Sequence, residues 1–222
     1  MNNAPILEAK DISKFYEDGQ VKAIDGISLQ VKRGEILIIH GPSGSGKSTL
    51  MHLLGGLDSP NTGEVFYEGR PIIEMCRNRG FRVKNLGFIF QTFYLWQNLN
   101  TLENIMLPLL ELPVSQRERF LRVKEIINEV GLADKINTSV KFLSVGQRQR
   151  VAVARALIAK PSVILADEPT GSLDSRNKES VLQLLRNINK KFKVTIVMVT
   201  HENTSREYYD RHIHLLDGKI CS

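Results

Sequence analysis

At 222 residues, with a net charge of +6 and no repeats or low-complexity tracts, the chain is long enough for one substantial core, or for a core with a small inserted subdomain. Apolar stretches such as Ile196-Val197-Met198-Val199 fall far short of the roughly 20 residues of a membrane helix, and Met1-Asn2-Asn3-Ala4-Pro5 lacks a secretory signal, so a cytosolic protein is expected. Two distant cysteines, Cys76 and Cys221, give neither a disulfide framework nor metal-like spacing, and the positive charge admits nucleic acid or an anionic membrane face without choosing between them.

In chain order, short strands and turn signals come first: Leu7 to Ile12, Ile27 to Val31 before Lys32-Arg33-Gly34, and Glu64 to Tyr67 before Glu68-Gly69. They predict a mostly antiparallel N-terminal sheet around a glycine-rich turn. That turn, Gly41-Pro42-Ser43-Gly44-Ser45-Gly46-Lys47-Ser48-Thr49, follows the apolar run Ile36-Leu37-Ile38-Ile39 and opens a helix near Lys47. Basic residues gather at Arg70, Arg77, Arg79, Arg82 and Lys84, a run that a solvated face also explains. From Asn100 to Val130 the periodicity turns helical: Ser115-Gln116-Arg117-Glu118 reads as a capping box, and Phe120, Leu121, Ile126, Ile127 and Val130 recur on one face. After Pro161 the pattern is strand, helix, strand over Val163–Ala166, about Ser175–Asn189 and Val194–Thr200, with the apolar content of parallel strands covered on both faces.

The glycine-rich turn fits G-x-x-x-x-G-K-[ST], in which curled backbone N–H groups and a helix N-terminus face phosphate, Lys47 supplies charge for the β- and γ-phosphates, and the Ser48 hydroxyl can ligate Mg²⁺. A dinucleotide fold fits poorly, because G-x-G-x-x-G would need Gly or Ala where Thr49 stands. Asp167 and Glu168 immediately follow an apolar strand, where one carboxylate can hold Mg²⁺ and the next can act as general base on the attacking water. Two acids at a strand end also serve as a cap and a surface charge; beside a phosphate loop the catalytic reading is the expected one. Gln91 ends the strand-like Gly87–Phe90 and can reach metal and water, while His201 ends another strand and suits a γ-phosphate contact. Ser144 and Gln147 form a capping box on the helix begun at Leu143-Ser144-Val145-Gly146-Gln147. It reads either as a well-capped core helix or as a second anion site.

Together these motifs, in this order and over nearly the whole chain, resemble the nucleotide-binding ATPase subunit of an ATP-binding-cassette (ABC) transporter. The fold implied is α/β, a P-loop NTPase of the ABC ATPase type with an N-terminal antiparallel β subdomain and an inserted helical subdomain. Residues 1–91 and 159–222 are expected to form the nucleotide-binding core and 92–158 the helical subdomain. By the resemblance, Tyr16 stacks on adenine, Gly41 to Thr49 is the Walker A loop, and Gln91 is the Q-loop residue. Ser144, Val145, Gly146 and Gln147 belong to the signature facing the opposite ATP, Asp167 and Glu168 are the Walker B pair, Ser172-Leu173-Asp174 is the D-loop, and His201 is the switch histidine. Mg²⁺ is expected on Ser48, Gln91 and Asp167, and catalysis on Glu168, His201 and Gln91. The family usually writes Leu-Ser-Gly-Gly-Gln; Val145 adds bulk at the third place, which would slow closure or weaken hydrolysis.

The resemblance further implies a head-to-tail homodimer around two Mg·ATP and transmembrane permease subunits as partners, on the inner face of the plasma membrane, with no nucleic acid. Gly55-Gly56-Leu57-Asp58, Thr62-Gly63-Glu64-Val65, Gly87-Phe88-Ile89-Phe90-Gln91 and Ala166 to Asp174 resemble the lipoprotein-release, macrolide-efflux and antimicrobial-peptide-resistance group. Two alternatives stand beside this. One is a related ATPase that regulates envelope or division machinery without transport. The other is a soluble DNA-maintenance ATPase, disfavoured because Leu50 to Phe142 carries no sustained heptad run.

Overall fold

The computed structural model describes residues 4–16 and 19–221; Met1 to Asn3, part of the stretch read for a secretory signal, lie outside them. The chain opens with β1 (Leu7–Tyr16), β2 (Val21–Val31), β3 (Ile36–His40), α1 (Lys47–Leu54), β4 (Thr62–Tyr67), β5 (Arg70–Pro71) and α2 (Ile72–Cys76). It continues through α3 (Arg79–Asn85), β6 (Leu86–Ile89), α4 (Thr101–Met106), α5 (Gln116–Glu129), α6 (Val145–Leu157), β7 (Val163–Asp167) and α7 (Ser175–Phe192). It ends with β8 (Thr195–Thr200), β9 (Arg211–Leu216) and β10 (Lys219–Cys221). These elements form two compact units, Met1–Asn78 with Thr195–Ser222, and Arg79–Val194. No helix among the described residues is long and apolar enough to cross a membrane.

The first unit holds an antiparallel sheet in the order β2-β1-β4-β5 and a run of strands β10-β9-β3-β8. The expected N-terminal sheet is present, but the strand feeding the glycine-rich turn is not part of it. β3 pairs in parallel with β8, Ile36 opposite Ile196 through His40 opposite Thr200, and in parallel with β9, Leu37 opposite Arg211 through His40 opposite His214. Its four apolar residues are buried, as a strand covered on both faces requires. The start of β3 is anchored by polar contacts: Asp210 Oδ2 accepts from Ile36 N (2.8 Å), and Arg211 Nη2 donates to the buried Glu35 carboxylate at 2.7 Å.

The second unit contains the parallel pair β6 and β7, in register from Leu86 opposite Val163 to Ile89 opposite Ala166, with α3 and α6 against β6 and α4, α5 and α7 against α6. α7 buries Val181, Leu182, Leu184, Leu185 and Ile188 at helical spacing and runs past Asn189 to Phe192, where Lys193 takes a left-handed φ of 54°. Five such side chains contribute about 1.5–3 kcal/mol each, so packing outweighs the single N-cap hydrogen bond that the exposed Asp174 accepts from Asn177 N. α5 departs from expectation in two ways. Val123, Ile126 and Ile127 are buried, but Phe120 and Leu121 face solvent, because the helix turns only its C-terminal half to the core. Ser115 caps Glu118 N, whereas the Glu118 carboxylate, instead of closing the box, pairs with Arg122 at 2.5 Å. A complete capping box occurs instead at Asn100 and Glu103, on α4.

Candidate functional site

In the first unit the stretch Gly41–Gly46 links β3 to α1. Gly46 is the N-cap residue of α1 with φ 96°, and a Cβ there would overlap the carbonyl oxygen of Ala23, so both backbone conformation and space demand glycine. With no side-chain cap on α1, the amides of its first turn are not met by a capping side chain. The Lys47 side chain is buried, 6% exposed, and curls back so that Nζ donates to the carbonyls of Gly41 (2.9 Å) and Pro42 (2.8 Å). Ser45 Oγ is buried without a hydrogen-bond partner. A concave backbone, a helix N-terminus and a lysine at its mouth make an anion cradle. Ser48 and Thr49 occupy the first turn of α1.

Tyr16 closes β1, 40% exposed, with its hydroxyl 3.1 Å from Asp58 Oδ2. Burial, then the Asp58 hydrogen bond, raises the pKa of the Tyr16 phenol. His201 directly follows β8; its backbone carbonyl lies 3.0 Å from Nε2 of His40, the last residue of β3, and Thr200 O accepts from Gly41 N at 3.3 Å. The histidine and the phosphate-loop entrance are thus joined within one unit.

In the second unit, Asp167 ends β7 and Glu168 takes a left-handed φ of 44°. For a glutamate this conformation costs about 1–3 kcal/mol, the kind of strain that collects at functional sites. Gln91 Nε2 donates to Glu168 Oε2 at 3.2 Å. The turn after Glu168 is closed by Gly171 N on Glu168 O (3.1 Å). Sequence reasoning missed a brace on the Gln91 loop: Arg155 of α6 donates to the carbonyls of Phe93 (2.6 Å) and Tyr94 (2.7 Å). Burial pulls the Arg155 guanidinium below its ordinary value. Beyond the brace, Tyr94 and Trp96 are 66% and 65% exposed, and a cavity of about 240 Å³ opens among Phe88, Phe90, Pro108 and Arg155.

The box at Ser144 and Gln147 is complete: Ser144 Oγ accepts from Gln147 N (3.2 Å), and Gln147 Oε1 accepts from Ser144 N (2.9 Å). Val145 is 38% exposed at the helix start. Gly146 lies against α7, where an added Cβ would come within 2.9 Å of Asn177 Oδ1. Asn177, also unforeseen, is held by Asp174, whose carboxylate accepts from its backbone N (2.9 Å) and its Nδ2 (2.6 Å). The Asn177 backbone bond, then its side chain, lowers the pKa of Asp174. So Ser172-Leu173-Asp174 and the Ser144–Gln147 segment, with Ser144 and Asp174 30 residues apart in sequence, meet through one asparagine.

Residues 24–171 match the family model described as ABC transporter. An uncharacterized ABC transporter ATP-binding protein of Methanocaldococcus jannaschii is 45% identical over 219 residues, covering 97% of each chain. The lipoprotein-releasing system ATP-binding protein LolD of Bacteroides fragilis is 43% identical over 217 residues, 97% of this chain and 100% of that one. Among solved structures, the dimeric post-hydrolysis structure of the ATP-binding cassette MJ0796 bound to ADP and Pi matches with a TM-score of 0.87 at 37% identity, over 96% of each chain.

Proposed function

We infer the working role of this chain from one premise: it belongs to the ABC transporter family, as one of its ATP-binding, ATP-hydrolysing subunits. We propose that it energises a membrane permease of the export or force-transmitting type, peripheral on the inner membrane face, by closing as a homodimer on ATP and parting after hydrolysis. The name of the Bacteroides relative supports a permease of the lipoprotein-releasing kind.

In this reading Lys47 exchanges the carbonyls of Gly41 and Pro42 for the β- and γ-phosphates, and the α1 amides take the remaining phosphate charge. Tyr16 offers its ring to adenine. Ser48, Asp167 and Gln91 would hold Mg²⁺ through hard oxygen donors, and Gln91 suits that task because its amide nitrogen is committed to Glu168, leaving its oxygen free for the ion. Bound there, Mg²⁺ would neutralise phosphate charge. Glu168 takes a proton from the attacking water, and Gln91 holds the carboxylate in place to do so. His201 meets the γ-phosphate. Ser144, Gly146 and Gln147 present their helix start to the partner's nucleotide, with Ser172-Leu173-Asp174 beside them. Phosphoryl transfer asks for positioning and charge neutralisation more than covalent chemistry, and these are what the residues supply.

The single observation that carries coupling to a permease is the hydrogen bond from Gln91 to Glu168, because the same loop goes on to expose Tyr94 and Trp96 beside an apolar cavity. A partner seated on those aromatics would sense whether Glu168 has done its work. The test is Glu168→Gln. ATP binding should persist, the ATP-bound dimer should accumulate in light scattering, and turnover should fall by about 10²–10⁴-fold. Wild-type turnover would remove Glu168 as the base. Affinity purification from solubilised membranes should recover a multi-span protein with the chain; recovery of DNA instead would favour the nucleic-acid alternative.

A further inference from the structure

Three histidines, His40, His212 and His214, line a cavity of about 210 Å³ in the first unit, together with Glu202 and Tyr209. The sequence motifs singled out none of the three. His40 and His214 stand opposite each other in the β3–β9 register, and Ile38 stands opposite His212, so the two β9 histidines share a face with His40. The His40 and His214 rings lie 5.3 Å apart between centroids, with Nδ1 to Nδ1 at 3.3 Å. His40 Nε2 is 3.0 Å from the backbone carbonyl of His201.

The hydrogen positions follow from the partners. A carbonyl oxygen only accepts, so Nε2 of His40 must carry its hydrogen. In the neutral ring Nδ1 is then an acceptor, and the only hydrogen available across 3.3 Å is the one on Nδ1 of His214. The result is a directed chain with donation from His214 to His40 to the carbonyl of His201, in which the carbonyl sets the tautomer of the neutral His40 and His40 that of His214. It crosses two strand boundaries, from β9 through the end of β3 to the residue after β8. His201 begins a stretch without regular structure, 201–205, directly after the last residue of β8. A side chain from β3 ties its carbonyl to the neighbouring strand. His40 also immediately precedes Gly41, which means that the same strand end sets both the entrance of the phosphate loop and the carbonyl of His201.

We infer that His40, oriented by His214, is a positioning residue for His201, locking the backbone of the γ-phosphate histidine to the strand that feeds the phosphate cradle. The inference rests on the reading of His201 as a γ-phosphate contact. It assigns His40 no contact with nucleotide.

Steady-state ATPase measurements on the purified full chain test it, with thermal unfolding beside them. His40→Leu puts an apolar side chain of similar bulk in place of the ring and loses the donor, and should lower kcat by about tenfold while KM stays within about twofold, because misplacing a group near the reacting phosphate penalises the transition state more than binding. His40→Gln, whose amide N–H can reach the same carbonyl, should recover most of the lost kcat. His214→Leu leaves His40 in place without its orienting partner, and should cost about threefold in kcat. A wild-type kcat in His40→Leu, or a His40→Gln variant as impaired as His40→Leu, overturns the proposal. Should His40→Leu fail to fold, wild-type kcat in His214→Leu overturns it equally. His201→Ala separates the two levels. If it keeps wild-type turnover, the reading of His201 itself fails; if it loses turnover while the His40 and His214 variants do not, only the positioning role fails.

Discussion

The two units build their functional surfaces by opposite means. In the first, the anion cradle is made of contiguous backbone: three glycines, Gly41, Gly44 and Gly46, that space or φ makes obligatory, an uncapped helix start, and one lysine whose bonds all fall within its own loop. In the second, the surface is assembled by side chains that mostly reach across long stretches of sequence, Gln91 to Glu168, Arg155 to the carbonyls of Phe93 and Tyr94, and Asn177, held by the nearby Asp174, against Gly146. A backbone site has few ways to fail, and each is severe. A side-chain assembly can be loosened one contact at a time, which suits a surface that must respond to partners and to the progress of hydrolysis.

Lys47→Ala should break the first unit's site outright. Two charge-assisted bonds to phosphate at about 1.5–3 kcal/mol each correspond to at least about a hundredfold weaker ATP binding by calorimetry. Undiminished affinity would mean the cradle is not where the phosphates go. The second unit should answer differently. Arg155→Leu removes both braces on the Gln91 loop, an expected loss of about 1–3 kcal/mol in unfolding free energy. Turnover should drop several-fold with ATP affinity unchanged, because the loop that holds Glu168 is loosened while the cradle is untouched. If ATP affinity fell in parallel with turnover, the separation between the two kinds of site would be wrong.

The same contrast decided what could be read from the sequence. The phosphate loop is nine adjacent residues whose chemistry needs no tertiary partner, so its strand, turn and helix were all legible, as were the apolar strand ending in Asp167 and the capping box at Ser144. The partners of the side-chain assemblies were not. Arg155 lies 61 and 62 residues from the carbonyls it braces, and His40 lies 161 from His201, separations at which periodicity and local propensity carry no information. Nothing in a glutamate signals a left-handed backbone, which at Glu168 is imposed by the turn closed on Gly171. Phe120 and Leu121 misled for the converse reason. Their spacing fits a helix face, but which part of that face meets the core is decided by neighbours the sequence does not order.

A smaller effect sharpens the comparison at the start of α6. Gly146→Ala would bring a methyl group within 2.9 Å of Asn177 Oδ1, overpacking that costs about 1–3 kcal/mol in unfolding free energy. Asn177→Ala in the same chain should return part of that loss, and the double-mutant cycle measured by denaturant unfolding should show coupling of about 0.5 kcal/mol or more. Strict additivity would mean that the Ser144–Gln147 segment and the start of α7 do not bear on each other.

The smallest effect distinguishes the units by acid and salt. Asp174 in the second unit and Asp25 in the first are both held below the usual carboxylate value, but by different partners: hydrogen bonds from Asn177 for Asp174, and the ammonium groups of Lys22 (2.6 Å) and Lys219 (3.2 Å) for Asp25. A carboxyl whose folded-state pKa is depressed stabilises the fold above its unfolded value, and that stability is lost as pH falls through the folded-state value. Both should therefore steepen the fall of the thermal midpoint on acidification below the ordinary carboxylate range. Asp174→Asn and Asp25→Asn should each flatten it. Salt separates them, since exposed ion pairs are screened over a Debye length of about 8–10 Å at moderate ionic strength while hydrogen bonds to a cap are not. Raising the salt should erase the difference between Asp25→Asn and wild type and leave that of Asp174→Asn in place. If both differences vanish together, the Asp174 cap is electrostatic in the same sense as a surface ion pair, and the second unit loses one of the hydrogen bonds on which its assembly was argued.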